Sequence, residues 1–251
     1  MLNDERKNRI LEALNQKGRV LSQELVNDLK VSEDTIRRDL KDLAEAGLLK
    51  RVHGGALPVG KVTFQFSKRE KESPAEKNTI ARRAASFVKD RQVIFIDGGT
   101  TTAQVAAHLK PDLQATFITN CLPTAVRLSE LPRLDVRVIG GHVTPDLLLT
   151  FGPQTIKEIS SIQADLCLIS MECLDLQYGA TVSNYDDSLV KQAMIERSAE
   201  SYVLAEGQKF NRVSPYKVAD IEAIGTIVTD SSVDEKHLEA FRKSGASILI
   251  A

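Results

Sequence analysis

The sequence predicts an α/β protein in which a small N-terminal winged helix-turn-helix is joined to a larger α/β domain with a mainly parallel sheet. Three short helical patterns and a Gly-rich turn fill the first 57 residues. Later, short apolar strands alternate with helical stretches, as in proteins with a buried parallel sheet. Charge divides in the same way: residues 1–83 carry 18 Lys+Arg and 13 Asp+Glu, and residues 84–251 carry 15 and 21. We expect domains over 1–57 and 75–251, with 58–74 as a polar linker.

The first domain is expected to contain three helices and a wing. Gly18 follows the first apolar helical pattern and is expected to end that helix. Ser22 and Ser32 precede the next two patterns, and each can cap a helix N-terminus. Gly47 is the expected residue after the third helix. Residues 48–57 then predict two short strands around a glycine turn, which form the wing.

The third helix predicts a surface for nucleic acid. Its buried face is formed by three apolar residues at helical spacing, Ile36, Leu40 and Leu43. At ~100° per residue, Arg38 lies nearly opposite that face, with Thr35 and Lys41 on its flanks. A guanidinium, an ammonium and a hydroxyl suit phosphates and base edges in a major groove. The alternative is an ordinary charged helix face, but the accompanying caps and wing favour nucleic acid.

A long motif in this region resembles the DeoR family of bacterial transcription regulators. The sequence VSEDTIRRDL begins at Val31 and RVHGGA begins at Arg51, close to the family pattern VSxxTIRRDL followed by RxHGGA. The resemblance implies a helix-turn-helix over about 20–39 that binds double-stranded operator DNA. The candidate DNA-binding residues are Ser32, Thr35, Arg37, Arg38, Lys41, Arg51 and His53. Helical geometry favours Arg38 over Arg37, which is expected at the edge of the buried face as a packing or phosphate-binding residue.

The larger domain is predicted to alternate strands with helices. The predicted strands are Val93–Ile96, Thr116–Thr119, Val136–Ile139, Leu166–Ile169, Tyr202–Ala205, Thr226–Val228 and Ile248–Ile250. The predicted helices are Thr101–Leu109, Pro123–Leu131, Asp187–Glu200 and Asp234–Lys243.

A glycine-rich turn after the first of these strands predicts an anion site. Free N–H groups and threonine hydroxyls at a helix start can bind phosphate, although such a turn is more often only a tight connection. In an α/β sheet, ligands lie beyond the carboxyl ends of the strands, which adds residues from other loops. The candidate ligand-binding residues are Asp97, Gly98, Gly99, Thr100, Thr101, Asn120, Gly141, Lys191 and Lys209. Asp97 and Asn120 would bond hydroxyls, and the lysines would pair with a phosphate.

The family resemblance extends to this domain. DGGTT at 97–101, TN at 119–120, GG at 140–141 and Gly152 match the family's sugar-phosphate sensor domain, which is similar to ribose-5-phosphate isomerase. A small phosphorylated sugar or sugar derivative is therefore the implied effector. The chain departs from the family pattern in three places, at Ser170-Met171-Glu172-Cys173, at Asp187-Ser188 and at Glu206-Gly207-Gln208-Lys209-Phe210. The bulkier side chains and the added carboxylate would narrow a phosphate pocket.

These features predict a ligand-controlled transcription factor, namely a repressor of a sugar- or carbohydrate-related operon that acts as a homodimer or homotetramer. One alternative is an isomerase-like enzyme with a helical appendage, for which Asp97, Asp165 and Lys191 could serve as acid and base. No acid–base constellation is evident in the sequence, so we expect no enzyme activity. Another alternative is a redox sensor that acts through Cys121, although most lone cysteines are packing residues.

Composition excludes several other classes of protein. No uncharged apolar run approaches the ~18–20 residues that a membrane helix needs. The first residues lack the apolar stretch of a signal peptide, and three cysteines without a CxxC pair favour reduced thiols, so we expect a cytoplasmic protein. The four histidines show no ligand spacing, and neither a metal nor another cofactor is predicted.

Overall fold

The structure is a computed structural model that describes residues 3–17, 19–45, 49–52, 54–58 and 66–251. The predictions that rest on Gly18, Gly47 and His53 lie outside the described residues.

The N-terminal region contains three helices and a small antiparallel sheet. In chain order the elements are α1 (Asn3–Lys17), β1 (Val20–Leu21), α2 (Ser22–Leu29), α3 (Glu33–Glu45), β2 (Leu49–Val52) and β3 (Gly55–Pro58). The two predicted wing strands pair as β2 and β3, and the unpredicted β1 adds to the other edge of β3. The backbones of β1 and β3 approach closely at Gly55, where an added Cβ would collide with the carbonyl oxygen of Val20. One apolar cluster joins the helices to the wing through Ile10, Leu14, Leu25, Ile36, Leu40, Leu43 and Leu49.

The two predicted serine caps have different outcomes. Ser32 caps α3 as expected, since its Oγ accepts a hydrogen bond from the N–H of Thr35 at 3.3 Å. The prediction for Ser22 was wrong: Leu21 precedes α2, and no side chain caps that helix. The chain enters α2 directly from β1, and the N–H of Ser22 instead donates to the carbonyl of Gly54 at 2.8 Å.

The larger domain contains many more elements than the sequence predicted. After α4 (Phe66–Glu70) and α5 (Pro74–Ala85) come β4 (Val93–Ile96), β5 (Thr116–Thr119), α6 (Leu122–Ser129), β6 (Asp135–Val138), β7 (His142–Thr144), β8 (Leu149–Phe151), α7 (Pro153–Ser160), β9 (Ala164–Ser170), β10 (Cys173–Asp175), β11 (Gly179–Val182), α8 (Tyr185–Glu196), β12 (Ser198–Leu204), β13 (Tyr216–Ala219), β14 (Thr226–Thr229), α9 (Glu235–Lys243) and β15 (Ser247–Ile250). Short 3-10 helices span Thr102–His108, Gly207–Lys209 and Ile221–Ala223.

The seven predicted strands form one parallel sheet, which confirms the predicted fold class. Its order is β15-β14-β12-β9-β4-β5-β6, and every neighbouring pair is parallel. From β4 the chain builds outward through β5 and β6, and it then crosses to β9 and builds outward on the other side. The strand order therefore reverses between β4 and β9, at the position where α/β sheets form a ligand crevice beyond their carboxyl ends.

Both faces of the sheet are buried. Alternate residues of a strand point to opposite faces. In β4, Phe95 joins one apolar cluster, whereas Ile94 and Ile96 join the other. Helices cover both faces, and this explains why the central strands are continuous apolar runs rather than alternating ones.

Several local predictions need correction. The helix predicted over Asp187–Glu200 ends at Glu196, because Ser198 and Glu200 already pair with β9. The helix predicted over Thr101–Leu109 is a 3-10 helix. The predicted linker is partly helical where it is described, since α4 lies within it and Phe66 packs against the sheet core. Two small antiparallel sheets, β7-β8 and β10-β11-β13, were not predicted, because their short strands mix polar and apolar residues and do not stand out as apolar runs.

Candidate nucleic-acid interface and ligand site

The exposed face of α3 carries the predicted cations. Ile36, Leu40 and Leu43 are buried beneath it, whereas Arg37, Arg38 and Lys41 are exposed. Arg37 pairs with Glu33 at 2.9 Å and Lys41 with Glu45 at 3.7 Å. Such exposed pairs contribute little to stability and can be exchanged for phosphate contacts. The packing interpretation of Arg37 was wrong, because its side chain is 63% exposed.

Two hydroxyls lie at the N-terminus of the same helix. The Ser32 and Thr35 hydroxyl oxygens are 2.8 Å apart, and Ser32 is exposed. In the wing, β2 presents Lys50, Arg51 and Val52 to solvent. The structure therefore places the described DNA-binding candidates on the surface of the winged helix, at α3 and at β2.

Sequence reasoning missed a buried ion pair that fixes α3. Arg6 of α1 donates from Nε to Asp39 Oδ2 at 2.5 Å and from Nη2 to Asp39 Oδ1 at 2.9 Å. Asp39 is only 2% exposed. The sequence held a signal for this contact, since Asp39 lies at helical spacing from the buried Ile36 and Leu43, where a carboxylate needs a partner. A second pair joins the same two helices, between Lys7 and Asp42 at 2.8 Å.

At the point where the strand order reverses, the loop after β4 meets the end of β9. Asp97 accepts hydrogen bonds at Oδ1 from the Ser170 N–H at 2.9 Å and at Oδ2 from the Ser170 hydroxyl at 3.4 Å. Lys191 of α8 donates to Asp97 Oδ2 and lies 3.6 Å from Asp187 Oδ1. All four side chains are buried. Lys191, predicted to pair with a phosphate, is thus held by two carboxylates of the protein.

The charges of this cluster depend on one another. Burial raises the pKa of Asp187 to about 7, against the lowering effect of Lys191. Burial would lower the pKa of Lys191, but the carboxylates of Asp187 and Asp97 hold it above its usual value. Lys191 therefore stays a cation.

The predicted glycine loop is closely packed. A Cβ on Gly99 would lie 2.8 Å from the Cβ of Ser170, and a Cβ on Gly98 would collide with the Leu149 side chain. The Thr102 hydroxyl donates to the backbone carbonyls of Asp97 at 3.1 Å and Gly99 at 2.9 Å. Thr100 and Thr101 are buried at the start of the following helical turn. These contacts hold the loop in one conformation.

Glu206, which follows β12, is a second residue whose role sequence reasoning missed. Its Oε1 accepts a hydrogen bond from the Thr101 hydroxyl at 3.0 Å, and its Oε2 lies 2.6 Å from Lys209 Nζ. Lys77 Nζ of α5 lies 3.7 Å from Oε1. Burial would raise the pKa of Glu206, but Lys209 and the other donors hold it at about 2, so the carboxylate is ionised. The structure thus connects the predicted residues Thr101 and Lys209 through an unpredicted acid.

The other two ligand candidates lie further along the same edge of the sheet. Asn120 follows β5, and its Nδ2 donates to the Thr150 carbonyl at 3.1 Å, while its buried Oδ1 has no hydrogen-bond partner among the described residues. Gly141 follows β6 with φ at +152°, and a Cβ there would collide with Thr155. The Thr150 hydroxyl bonds the carbonyls of Asn120 at 3.3 Å and Ile139 at 2.6 Å, and so links these two loops.

The family departures have structural counterparts. The Ser170 hydroxyl closes over Gly99 and also donates to the Gly98 carbonyl at 3.2 Å. Glu172 accepts from the N–H of Ser183 at 2.7 Å and from its hydroxyl at 2.9 Å, so its carboxylate is held within the domain.

The redox hypothesis gains no support from the environment of Cys121. The side chain is fully buried, and burial raises the pKa of its thiol, which disfavours the reactive thiolate. Within the described ranges, no cluster of three or more His, Cys, Asp or Glu residues could hold a metal ion. No helix of the described residues is long and apolar enough to cross a membrane.

Comparisons with known proteins identify the family. A DeoR-like helix-turn-helix domain model matches residues 6–61, and a DeoR C-terminal sensor domain model matches residues 72–231. The chain is 32% identical over 251 residues to the HTH-type transcriptional regulator GlpR of Haloferax volcanii, covering 99% of this chain and 98% of that protein. It is 31% identical over 252 residues to the HTH-type transcriptional repressor GlcR of Bacillus subtilis, covering 100% and 97%.

A third relative is the glycerol-3-phosphate regulon repressor of Escherichia coli, at 32% identity over 234 residues and 92% coverage of both chains. All three names are those of transcriptional regulators, so the isomerase alternative is not favoured. The chain belongs to the DeoR family of transcriptional regulators.

Proposed function

We propose that this regulator is a repressor of sugar- or polyol-phosphate genes, released from its operator by a small phosphorylated effector. The observation that carries the proposal is the exposed cationic face of α3, which lies opposite a fully buried apolar face. A helix of this kind, fixed by a buried ion pair to α1, can enter a major groove without reorganising its own domain.

The DNA-binding roles follow from position. Arg38 and Lys41 would reach base edges and nearby phosphates, and Arg37 would exchange Glu33 for a phosphate. Ser32 and Thr35 offer hydroxyls at the positive end of α3, where a phosphate is favoured. As the family resemblance implies, Arg51 of the wing would bind the neighbouring DNA backbone, and so would His53.

The effector is proposed to bind beyond the carboxyl ends of β4, β5 and β12. The loop of Gly98 to Thr101, with Lys209, would bind the phosphate, while Asp97 and Asn120 would bond hydroxyls of the sugar or polyol. The unpartnered buried Oδ1 of Asn120 supports this assignment, because buried polar atoms normally have a partner. The name of one relative, the glycerol-3-phosphate regulon repressor of Escherichia coli, supports the chemical class.

Two further features complete the proposal. The regulator acts in the cytoplasm, and it acts as a homodimer or homotetramer, because two copies would place two recognition helices on the half-sites of an operator.

Operator release tests this function. A duplex selected by the purified protein from a random pool is titrated with glycerol 3-phosphate and hexose phosphates, and separately with the unphosphorylated compounds as matched controls. We expect at least one phosphorylated compound to reduce retention of the duplex, while its unphosphorylated counterpart leaves retention unchanged. Retention that none of the phosphorylated compounds alters would contradict the proposed effector class.

A further inference from the structure

The carboxylate of Glu206 already occupies contacts that a phosphate would use. The group is 1% exposed and ionised, and it bonds the Thr101 hydroxyl and the Lys209 ammonium. A hydroxyl at the start of a helical turn and a nearby ammonium are typical donors to a phosphate. Both donors belong to the proposed effector site, and both contact this internal carboxylate.

The same carboxylate is connected to the segment that leads to the DNA-binding domain. Lys77 lies 3.7 Å from Glu206 Oε1 and donates at 2.5 Å to the carbonyl of Arg69, near the C-terminal end of α4. Lys77 is 4% exposed, so its charge depends on these partners. Burial lowers the pKa of Lys77, and Glu206 opposes that shift.

A second contact joins the same two regions. The turn after Glu206 contains Gln208, whose Nε2 lies 3.3 Å from the Ser73 hydroxyl. Ser73 immediately precedes α5 and follows α4. A movement of the turn at 206–209 would therefore disturb the segment between Arg69 and Ser73 in two places.

Contacts with α6 also hold α4. Arg127 of α6 pairs with Glu70, and its guanidinium lies 5.8 Å from the centre of the Phe66 ring. These contacts are independent of Glu206. Loss of the Lys77 contact is thus expected to loosen the segment that follows Arg69, while the contacts with Arg127 keep α4 attached to α6.

We propose, resting on the effector site above, that Glu206 is an internal competitor of the anionic effector and couples its binding to the linker. A phosphate that recruits Thr101 and Lys209 displaces the Glu206 carboxylate. Lys77 then loses its carboxylate partner, and its hold on the Arg69 carbonyl weakens. Binding of an anion at the sheet edge therefore makes the segment that leads to the DNA-binding domain less ordered.

The test uses the full chain, with inorganic phosphate and a panel of sugar phosphates as probes. Phosphate affinity is measured by calorimetric titration for the wild type, Glu206→Gln and Glu206→Asp. Removing one charge beside the site is expected to tighten phosphate binding in Glu206→Gln on the order of tenfold. Glu206→Asp keeps the charge but shortens the side chain, which draws the carboxylate away from Thr101 and Lys209, so its phosphate affinity is expected to lie between those of the wild type and Glu206→Gln.

The chain offers a matched control in Asp220. Like Glu206, Asp220 precedes a three-residue 3-10 helix and pairs with a lysine three residues away, but that pair is exposed. Asp220→Asn should leave phosphate affinity unchanged. Thermal unfolding of each variant shows whether it is folded.

Amide hydrogen exchange over residues 69–77 supplies a second readout, which can be measured first in the wild type. Phosphate should accelerate amide exchange in this segment of the wild type. In Glu206→Gln the exchange should already be fast before phosphate is added, and phosphate should change it little further.

The outcomes separate the two proposals. Sugar phosphates that bind the wild type, with equal phosphate affinity in Glu206→Gln, would overturn the competitor role and leave the effector class standing. Tighter binding without any change in exchange over 69–77 would overturn the coupling to the linker. If neither inorganic phosphate nor any sugar phosphate binds the wild type, the proposed effector class itself fails.

Discussion

Arg6 and Asp39 are joined by two parallel hydrogen bonds that tie α1 to the buried side of α3. The pair orients the helix that carries the predicted DNA-binding residues, because Arg38 is exposed whereas its neighbour Asp39 is buried where α3 meets α1. The geometry of the recognition surface therefore depends on a contact on the other face of the helix.

Replacing Asp39 should weaken the winged helix. Asp39→Ala removes the buried carboxylate that accepts two hydrogen bonds from Arg6, and we expect a loss of about 2–3 kcal/mol in the free energy of unfolding of this domain. Denaturant unfolding followed by circular dichroism measures the change. Asp42→Ala is the control, because its pair with Lys7 joins the same helices but is more exposed. An equal loss in both variants would contradict the special role of Asp39.

The contact between Gly99 and Ser170 should tolerate no added side chain. Gly99→Ala brings two Cβ atoms to 2.8 Å, and overpacking of this kind costs about 1–3 kcal/mol. The double variant Gly99→Ala/Ser170→Gly removes the obstacle, so it should recover part of the stability lost. Thermal unfolding of the two variants and of Ser170→Gly alone checks the prediction. Absence of any recovery would show that the two positions are not in conflict.

Asp187 should make stability fall as the pH rises. Burial raises its folded-state pKa to about 7 from an ordinary 3.8, so between these values the folded state binds more protons than the unfolded state. The contribution of Asp187 is fully present below pH 3.8 and is lost as the pH rises towards 7.

Asp187→Asn lacks this titration and isolates it from the other groups. The unfolding temperature of the wild type should therefore fall relative to that of Asp187→Asn between pH 5 and pH 8. A difference between the two proteins that is constant over this pH range would contradict the raised pKa. Asp186→Asn, at the exposed neighbouring position of α8, serves as the control for the loss of a carboxylate from the same turn.

The sheet could be predicted from the sequence because its strands are short apolar runs separated by helices. Every strand of the central sheet corresponds to such a run, as Val93–Ile96 and Thr116–Thr119 illustrate. By contrast, β10 reads Cys-Leu-Asp and β11 reads Gly-Ala-Thr-Val, and neither forms an apolar run or shows a clear periodicity. Residues 198–200 were predicted as helix from the local pattern alone. Their pairing with β9 decides their conformation instead, and local sequence does not show that pairing.

The site was only partly predictable for a similar reason. Asp97 and its glycine loop carry a local signal, a strand followed at once by glycines and threonines. Glu206 acquires its role from Thr101, which lies 105 residues away in the chain. Arg6 and Asp39 are 33 residues apart, and only folding brings them together. Pairings of this kind depend on the packing of elements, which local residue patterns do not encode.

The effect of Arg38→Ala on DNA binding tests most directly whether α3 presents the DNA-binding surface. The wild type, Arg38→Ala and Arg133→Ala are compared by gel shift on the duplex selected by the wild type, at fixed salt and then across a salt series. Arg133 is an exposed arginine of the larger domain and serves as the control. Thermal unfolding confirms that all three proteins are folded.

We expect Arg38→Ala to weaken binding about 10- to 100-fold, the loss that one base-edge contact implies, while Arg133→Ala should bind like the wild type. Wild-type affinity should fall steeply with salt, because phosphate contacts release counterions. Unchanged affinity in Arg38→Ala would contradict the claim that α3 presents the DNA-binding surface.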